Sequence, residues 1–155
     1  MYKRILVPTD GSELAGEAVA AAIDYVKASG GAIVAFSVAQ PYPMVPAVDG
    51  AMMFDPGIDP AEFQQIAQHA VEEVARAAGL AGVICEPHTT RSFLPWEEIV
   101  RAAEEYQCDA IFMASHGRHG LSRLIAGSQT QKVLANSHLP VLVLRPALPK
   151  TDSGV

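Results

Sequence analysis

The chain has 155 residues, half of them hydrophobic and 18% charged, with a net charge of −6. That length and balance predict one domain around a single core and exclude a disordered chain. The negative total argues against general nucleic-acid binding, which needs basic surface to neutralise phosphate. No apolar run approaches the roughly 20 residues that span a bilayer, and Cys85 and Cys108 form no CxxC pair. Reduced thiols, a cytoplasmic setting and no membrane partner are therefore the expectation.

Lys3 to Pro8 (KRILVP) is a short apolar run that predicts a first strand, too brief for the core of a signal peptide. Thr9-Asp10-Gly11-Ser12 then offers a turn and a helix cap, and Asp10-x-x-Glu13 also fits a capping box. From Ser12, the residues Ala15, Val19, Ala22, Ile23 and Val26 recur at helical spacing until Ser29-Gly30-Gly31 interrupts them. Ala32 to Val38 (AIVAFSV) reads as a second buried strand. Residues 39–59 follow with Pro41, Pro43, Pro46 and Pro56, with Met44, Met52 and Met53, and without a clear period. A loop of that length in a compact domain is usually functional or disordered, and a lid over a ligand is one expectation for it.

Pro60 opens a second helical pattern through Phe63, Ile66, Ala67, Ala70, Val74 and Ala77, expected to end at Gly79. Val83 to Thr90 (VICEPHTT) is a weaker strand that Pro87 pushes toward a sheet edge. Trp96, Ile99, Val100 and Ala103 mark a third helix closing near Tyr106-Gln107. A fourth strand over Asp109–Ala114, a short helix over Ser128–Asn136 and a last strand over Val141–Leu144 complete a domain of residues 1–146, with a mobile tail at 147–155. Nearly continuous apolar strands alternating with helices predict an α/β fold, a parallel sheet with helices on both faces. Such sheets take ligands beyond the carboxyl ends of their strands, where strand order reverses. Thr9-Asp10 and the segments after Val38 and Ala114 all lie at those ends.

The last of these segments carries the sharpest signal. Between Asp109 and Asp152 there is no acidic residue, while Arg118, Arg123, Lys132, Arg145 and Lys150 fall there. A local positive field in an acidic protein suits a small anion. Neither GxxxxGK[ST] nor a helix-opening GxGxxG is present. Instead Gly117 is followed after nine residues by Gly127-Ser128 at a helix start, where free amides and the helix dipole can hold phosphate. The same residues also fit a plain capped helix, since Ser128-x-x-Gln131 matches a capping box. His116 and His119 form an HxxH pair but bring no carboxylate, which makes a poor metal site. Arg118 and Arg123 are candidates to reach a terminal phosphate.

ILVPTDGS at residues 5–12 and DAIFMASHGRHGLSRLIAGSQTQKVLANSHLPVLVLRP at 109–146 resemble the two signature segments of the universal stress protein family. The resemblance implies a Rossmann-like, five-stranded parallel sheet in the order 3-2-1-4-5. It also implies a homodimer pairing through the last strand, Val141, Leu142, Val143 and Leu144. The nucleotide-binding branch carries G-x2-G-x9-G-[ST], which here falls on Ala114, Gly117, Gly127 and Ser128, alanine replacing the first glycine. By the same resemblance Pro8, Thr9, Asp10, Val38 and Met113 surround adenine and ribose. Ser115, His116 and Thr130 lie near the phosphates, with Gln129 in the same set. ATP is the implied ligand, and magnesium, if bound, is held through its phosphates. The expected role is a stress-response binding and signalling module with at most slow hydrolysis. Two alternatives stand beside it. One is a dimeric stress protein that binds no nucleotide, for which Ala114 argues. The other is an adenylating or phosphate-transferring enzyme, which needs a base or metal carboxylates where Asp10 alone is on offer.

Overall fold

The structure, a computed structural model, describes residues 1–41, 44–46, 52–54, 59–115 and 127–145. In chain order it comprises β1 (Arg4–Pro8), α1 (Glu13–Ser29), β2 (Ala32–Ala39), β3 (Met44–Pro46), β4 (Met52–Phe54), α2 (Pro60–Leu80), β5 (Ile84–Arg91), α3 (Pro95–Glu105), β6 (Ala110–Ala114), α4 (Ser128–Asn136) and β7 (Val141–Leu144). Five strands form one parallel sheet in the order β5-β2-β1-β6-β7. Counted among the sheet strands alone, this is the order 3-2-1-4-5.

Because β1 lies at the centre of that sheet, it must be apolar on both faces. Ile5, Leu6 and Val7 are accordingly all fully buried. Alternation then sends their side chains into two separate cores. Ile5, Val7, Ile33, Ala35, Ala110 and Phe112 pack with Val19, Ile23 and Val26 of α1 and Val71 and Val74 of α2. Leu6, Val34, Phe36, Ile111 and Met113 pack on the opposite face with Ile99, Ala102 and Ala103 of α3 and Val133 of α4. Helices thus cover both faces.

The caps differ in detail from the sequence expectation. Ser12, not Asp10, caps α1: its hydroxyl accepts from Ala15 N, while Asp10 Oδ1 accepts from Ser12 N at 2.9 Å in a turn ahead of the helix. The Asp10-x-x-Glu13 box is therefore not formed. Helix α1 ends where Gly30 adopts the left-handed conformation, φ +69°, and donates to Val26 O. Gly79 does not end α2, which runs on to Leu80; the chain turns instead at Gly82, φ +74°. Pro87 sits within β5 without breaking it because β5 is an edge strand. Between β2 and α2, β3 and β4 pair antiparallel with Met44 opposite Phe54, two short strands that a reading for periodicity leaves unseen. The Asp49-Gly50 dipeptide between the two runs is the sequence signal for a hairpin. The tail after Arg145 lies outside the described residues.

Opposite the carboxyl-end rim, the sheet is locked by polar contacts. Asp109 accepts from Lys3 N (2.8 Å) and Arg4 N (3.1 Å). Arg4 forms a two-pronged pair with Glu86 of β5 (3.0 and 2.8 Å) and donates from Nε to Tyr106 O. His88 stacks on the Tyr106 ring with centroids 4.1 Å apart. The Arg4 guanidinium holds the Glu86 carboxyl below the ordinary glutamate value of 4.5. Burial pushes the Cys108 thiol up to about 11. Among the described residues no helix is long and apolar enough to cross a membrane.

Candidate functional site

In the sheet order, β1 has β2 on one side and β6 on the other, so the order in which strands are added reverses at the β1–β6 boundary although the two strands run parallel. At their carboxyl ends, β1 gives Pro8, Thr9 and Asp10, β2 gives Val38, and β6 gives Met113, Ala114 and Ser115. The structure brings these sequence-derived candidates to one rim.

Strand alternation sorts them further. Pro8 shares a face with Leu6, and Val38 with Val34 and Phe36, the face that also carries Met113. Val38 packs partly buried on that cluster, and Met113 is buried in it. Pro8 and Val38 thus present apolar surface on the α3–α4 side of the rim, with Met113 buried on the same face. Thr9 is buried, donates from its amide to Phe36 O (2.9 Å) and accepts from Gly11 N through its hydroxyl (3.2 Å). These bonds, with the Asp10–Ser12 turn and the positive φ of Gly11 (76°), fix how the chain leaves β1.

The start of α4 is fastened to the end of β6. Gly127 N donates to Ser115 O (2.6 Å), and the buried Thr130 hydroxyl donates to Ala114 O (3.1 Å). Ser115 N in turn donates to Leu144 O of β7 (2.7 Å). The capping box expected at Ser128 is absent. The N-cap is Gly127, with no side-chain cap bond, and Ser128 is already the first helical residue. Gln131 N accordingly donates to Gly127 O as in a regular helical turn. Glycine at the N-cap brings no side-chain acceptor of its own to the first-turn amides at Ser128, Gln129 and Thr130. The Gln129 side chain is engaged elsewhere than at the rim: its Oε1 accepts from Trp96 N of α3 at 3.0 Å. Spacing could not reveal that bond, which joins two helices 33 residues apart.

Ala114 closes β6 opposite Leu144 in ordinary strand conformation; its φ is not positive, unlike that of Gln107. Alternation directs its methyl to the face of Ala110 and Phe112, away from that of Met113. His116 and Gly117, with the stretch to residue 126, lie outside the described residues. Among the described residues no group of three or more metal-ligating side chains is gathered.

These features define an α/β protein of the doubly wound kind, with its candidate site at the rim where strand order reverses. Within that class the chain belongs to the universal stress protein family, whose model matches residues 1–145. It is 33% identical over 147 residues to Universal stress protein MJ0531 of Methanocaldococcus jannaschii, covering 94% of this chain and 83% of that protein. A solved structure of hypothetical protein MJ0577 superposes with a TM-score of 0.74 at 25% identity, covering 96% of this chain and 99% of the other. A universal stress protein in complex with cAMP has a TM-score of 0.68 at 20% identity, covering 94% and 98%. One from Archaeoglobus fulgidus in complex with dAMP has a TM-score of 0.66 at 18% identity, covering 93% and 98%.

Proposed function

We propose that this protein binds an adenine nucleotide, ATP in the first instance, at the rim between β1 and β6, and acts as a binding and signalling module rather than a fast enzyme. The observation that carries the reading is the start of α4: a helix end with glycine at its N-cap, fastened to β6 beside an apolar shelf. The fixed dipoles of such a helix end favour an anion. Pro8, Val38 and Met113 offer adenine an apolar surface, and Thr9 and Asp10 stand at the end of β1 for ribose hydroxyls. Ser115, Gly127, Ser128 and Thr130 surround the phosphate end, with His116 and Gly117 assigned to it from the sequence motif. Magnesium would be held through the phosphates. The nucleotide supplies charge and shape to be read by the surface, and no base is assigned to attack it. The cAMP and dAMP complexes of two structural neighbours support the ligand class.

The departure at Ala114 is compatible with this reading. Its conformation is one that any residue adopts, so the added methyl creates no backbone strain. The test is native mass spectrometry of the purified protein, followed by calorimetric titration of wild type and Gly127→Val with ATP and with AMP. Co-purified nucleotide or micromolar heats in wild type, weakened at least about tenfold by the valine, are expected. Silence up to millimolar ATP returns the C-terminal motif to a structural role.

Homodimerisation through β7 and an intracellular setting belong to the same proposal. Strand β7 is an edge of the sheet, and Leu142 on it is 48% exposed despite its apolar side chain. Sedimentation of wild type as a dimer and of Leu142→Asp as a monomer is expected; a monomeric wild type removes this part.

A further inference from the structure

The first turn of α3 has an unusual cap. Helix α3 begins at Pro95, and its N-cap Leu94 supplies no side-chain acceptor. Glu97 N and Glu98 N return to Leu94 O, at 3.1 and 3.3 Å. Trp96 N is taken instead by Gln129 Oε1, from the first turn of α4. An amide that every helix start must satisfy is thus satisfied from another element, by the residue whose own backbone N–H belongs to the proposed phosphate end.

What precedes α3 makes that bond consequential. The segment Ser92–Leu94 is held at its first residue by Ser92 N donating to Ala39 O at the end of β2, and within itself by Leu94 N donating to Ser92 Oγ. Phe93 and Leu94 are nevertheless 62% and 45% exposed. A short, apolar, solvent-facing segment therefore hangs between two fixed points, the end of β2 and, through Trp96, the first turn of α4. The second belongs to the proposed nucleotide site, and the first is the chain neighbour of Val38, which also belongs to it.

We propose that Gln129 is a positioning residue that couples occupancy of the α4 end to this segment, so that bound nucleotide changes how Phe93 and Leu94 are presented. The inference rests on the adenine-nucleotide reading above. An anion drawn onto the amides of Ser128, Gln129 and Thr130 orders the first turn of α4. The Gln129 side chain is part of that turn, and its grip on Trp96 N tightens with it. The start of α3 and the two apolar residues ahead of it follow.

The experiment is amide hydrogen exchange resolved to residues 92–98, with and without saturating ATP, on wild type, Gln129→Met and Gln129→Glu, with calorimetric ATP binding measured on each. In the free protein the methionine, which has the length but no acceptor, is expected to speed Trp96 exchange by about tenfold, the worth of one hydrogen bond. Glutamate keeps an acceptor and is expected to restore protection. ATP is expected to slow exchange across 92–98 in wild type and to leave Gln129→Met unchanged there. ATP heats in wild type without any change at 92–98 overturn the coupling and leave the nucleotide reading standing. No ATP heat in wild type overturns both. Unaltered Trp96 exchange in folded Gln129→Met overturns the positioning role. Should that variant fail to fold by circular dichroism, the wild-type comparison alone decides the coupling.

Discussion

Replacing Gly31 by alanine places a methyl carbon 2.2 Å from the carbonyl oxygen of Lys3 and 2.9 Å from its carbonyl carbon. A comfortable carbon–oxygen contact is about 3.3–3.6 Å, so roughly 1 Å must be found. The obstructing atoms are backbone and cannot swing aside. Relief requires β1 and β2 to part where their pairing begins, at Arg4 opposite Ala32. The first bond at risk is Ala32 N to Lys3 O, 2.7 Å long. Overpacking of this kind costs about 1–3 kcal/mol and a lost hydrogen bond about 1 kcal/mol, a total of about 2–4 kcal/mol. For a chain of this size that corresponds to a melting temperature lower by about 5–15 °C. Gly16, inside α1 with nothing within 4 Å of an added methyl, is the control. Alanine there should stabilise by about 0.5–1 kcal/mol. Urea and thermal unfolding followed by far-UV circular dichroism measure both variants. A Gly31→Ala protein within about 0.5 kcal/mol of wild type would refute the argument. The site lies at the other end of the strands, so ATP affinity of folded Gly31→Ala should stay within about twofold.

The remaining predictions concern charge, thiols and the α4 anchor. Glu86→Gln should cost about 0.5–1 kcal/mol at pH 7, a modest figure because both partners are partly exposed. The depressed carboxyl makes the sign definite: this stability is present above the ordinary glutamate value and disappears as pH falls through the lower folded value. Urea midpoints of wild type and variant should therefore converge as pH falls below the ordinary glutamate value, and a gap that persists in acid where the carboxyl is protonated in both states contradicts the ion-pair origin. Cys108, buried and with its thiol pushed up to about 11, and Cys85, raised by burial as well, should react with a thiol reagent at pH 8 far more slowly in the native protein than in urea; immediate titration of both would count against the packing of that region. Thr130→Val keeps the shape of a side chain only 3% exposed but removes its bond to Ala114 O. It should cost about 1–2 kcal/mol and weaken ATP binding several-fold, by calorimetry against the wild type.

The sheet was legible because its strands announce themselves twice, by unbroken apolar runs and by the helical repeats between them. Leu6 and Ile111 needed no partner to be recognised as core. What escaped was whatever depends on a contact between segments. Asp10 and Glu13 have the letters of a capping box, yet Ser12 is closer to the helix and takes the role. Ser128 likewise looked like a cap, but the cap is Gly127, whose amide is bound to Ser115 O, and Ser128 is the first residue of the helix, whose range Ser128–Asn136 is the one expected. Gln129 was legible as a residue of the first turn of α4 and illegible as the partner of Trp96. At Ala114 the sequence could pose the question of one methyl group but not answer it, because the answer depends on φ and on which face the residue takes.

The clamp of Asp109 on the amides of Lys3 and Arg4 joins positions 106 and 105 residues apart. A contact of that span closes nearly the whole chain into a loop, and such closures are slow and come late. During synthesis β1, α1 and β2 emerge together and can pair early, but the centre strand keeps one open edge until β6 has been made. The apolar shelf is incomplete for all that time, since Met113 arrives with β6 and the α4 amides later still. Ligand can therefore reward only the finished chain. By mass action a nucleotide bound as proposed stabilises the completed fold over every partly folded predecessor, so it should also protect newly made copies from aggregation through the exposed edge of β1.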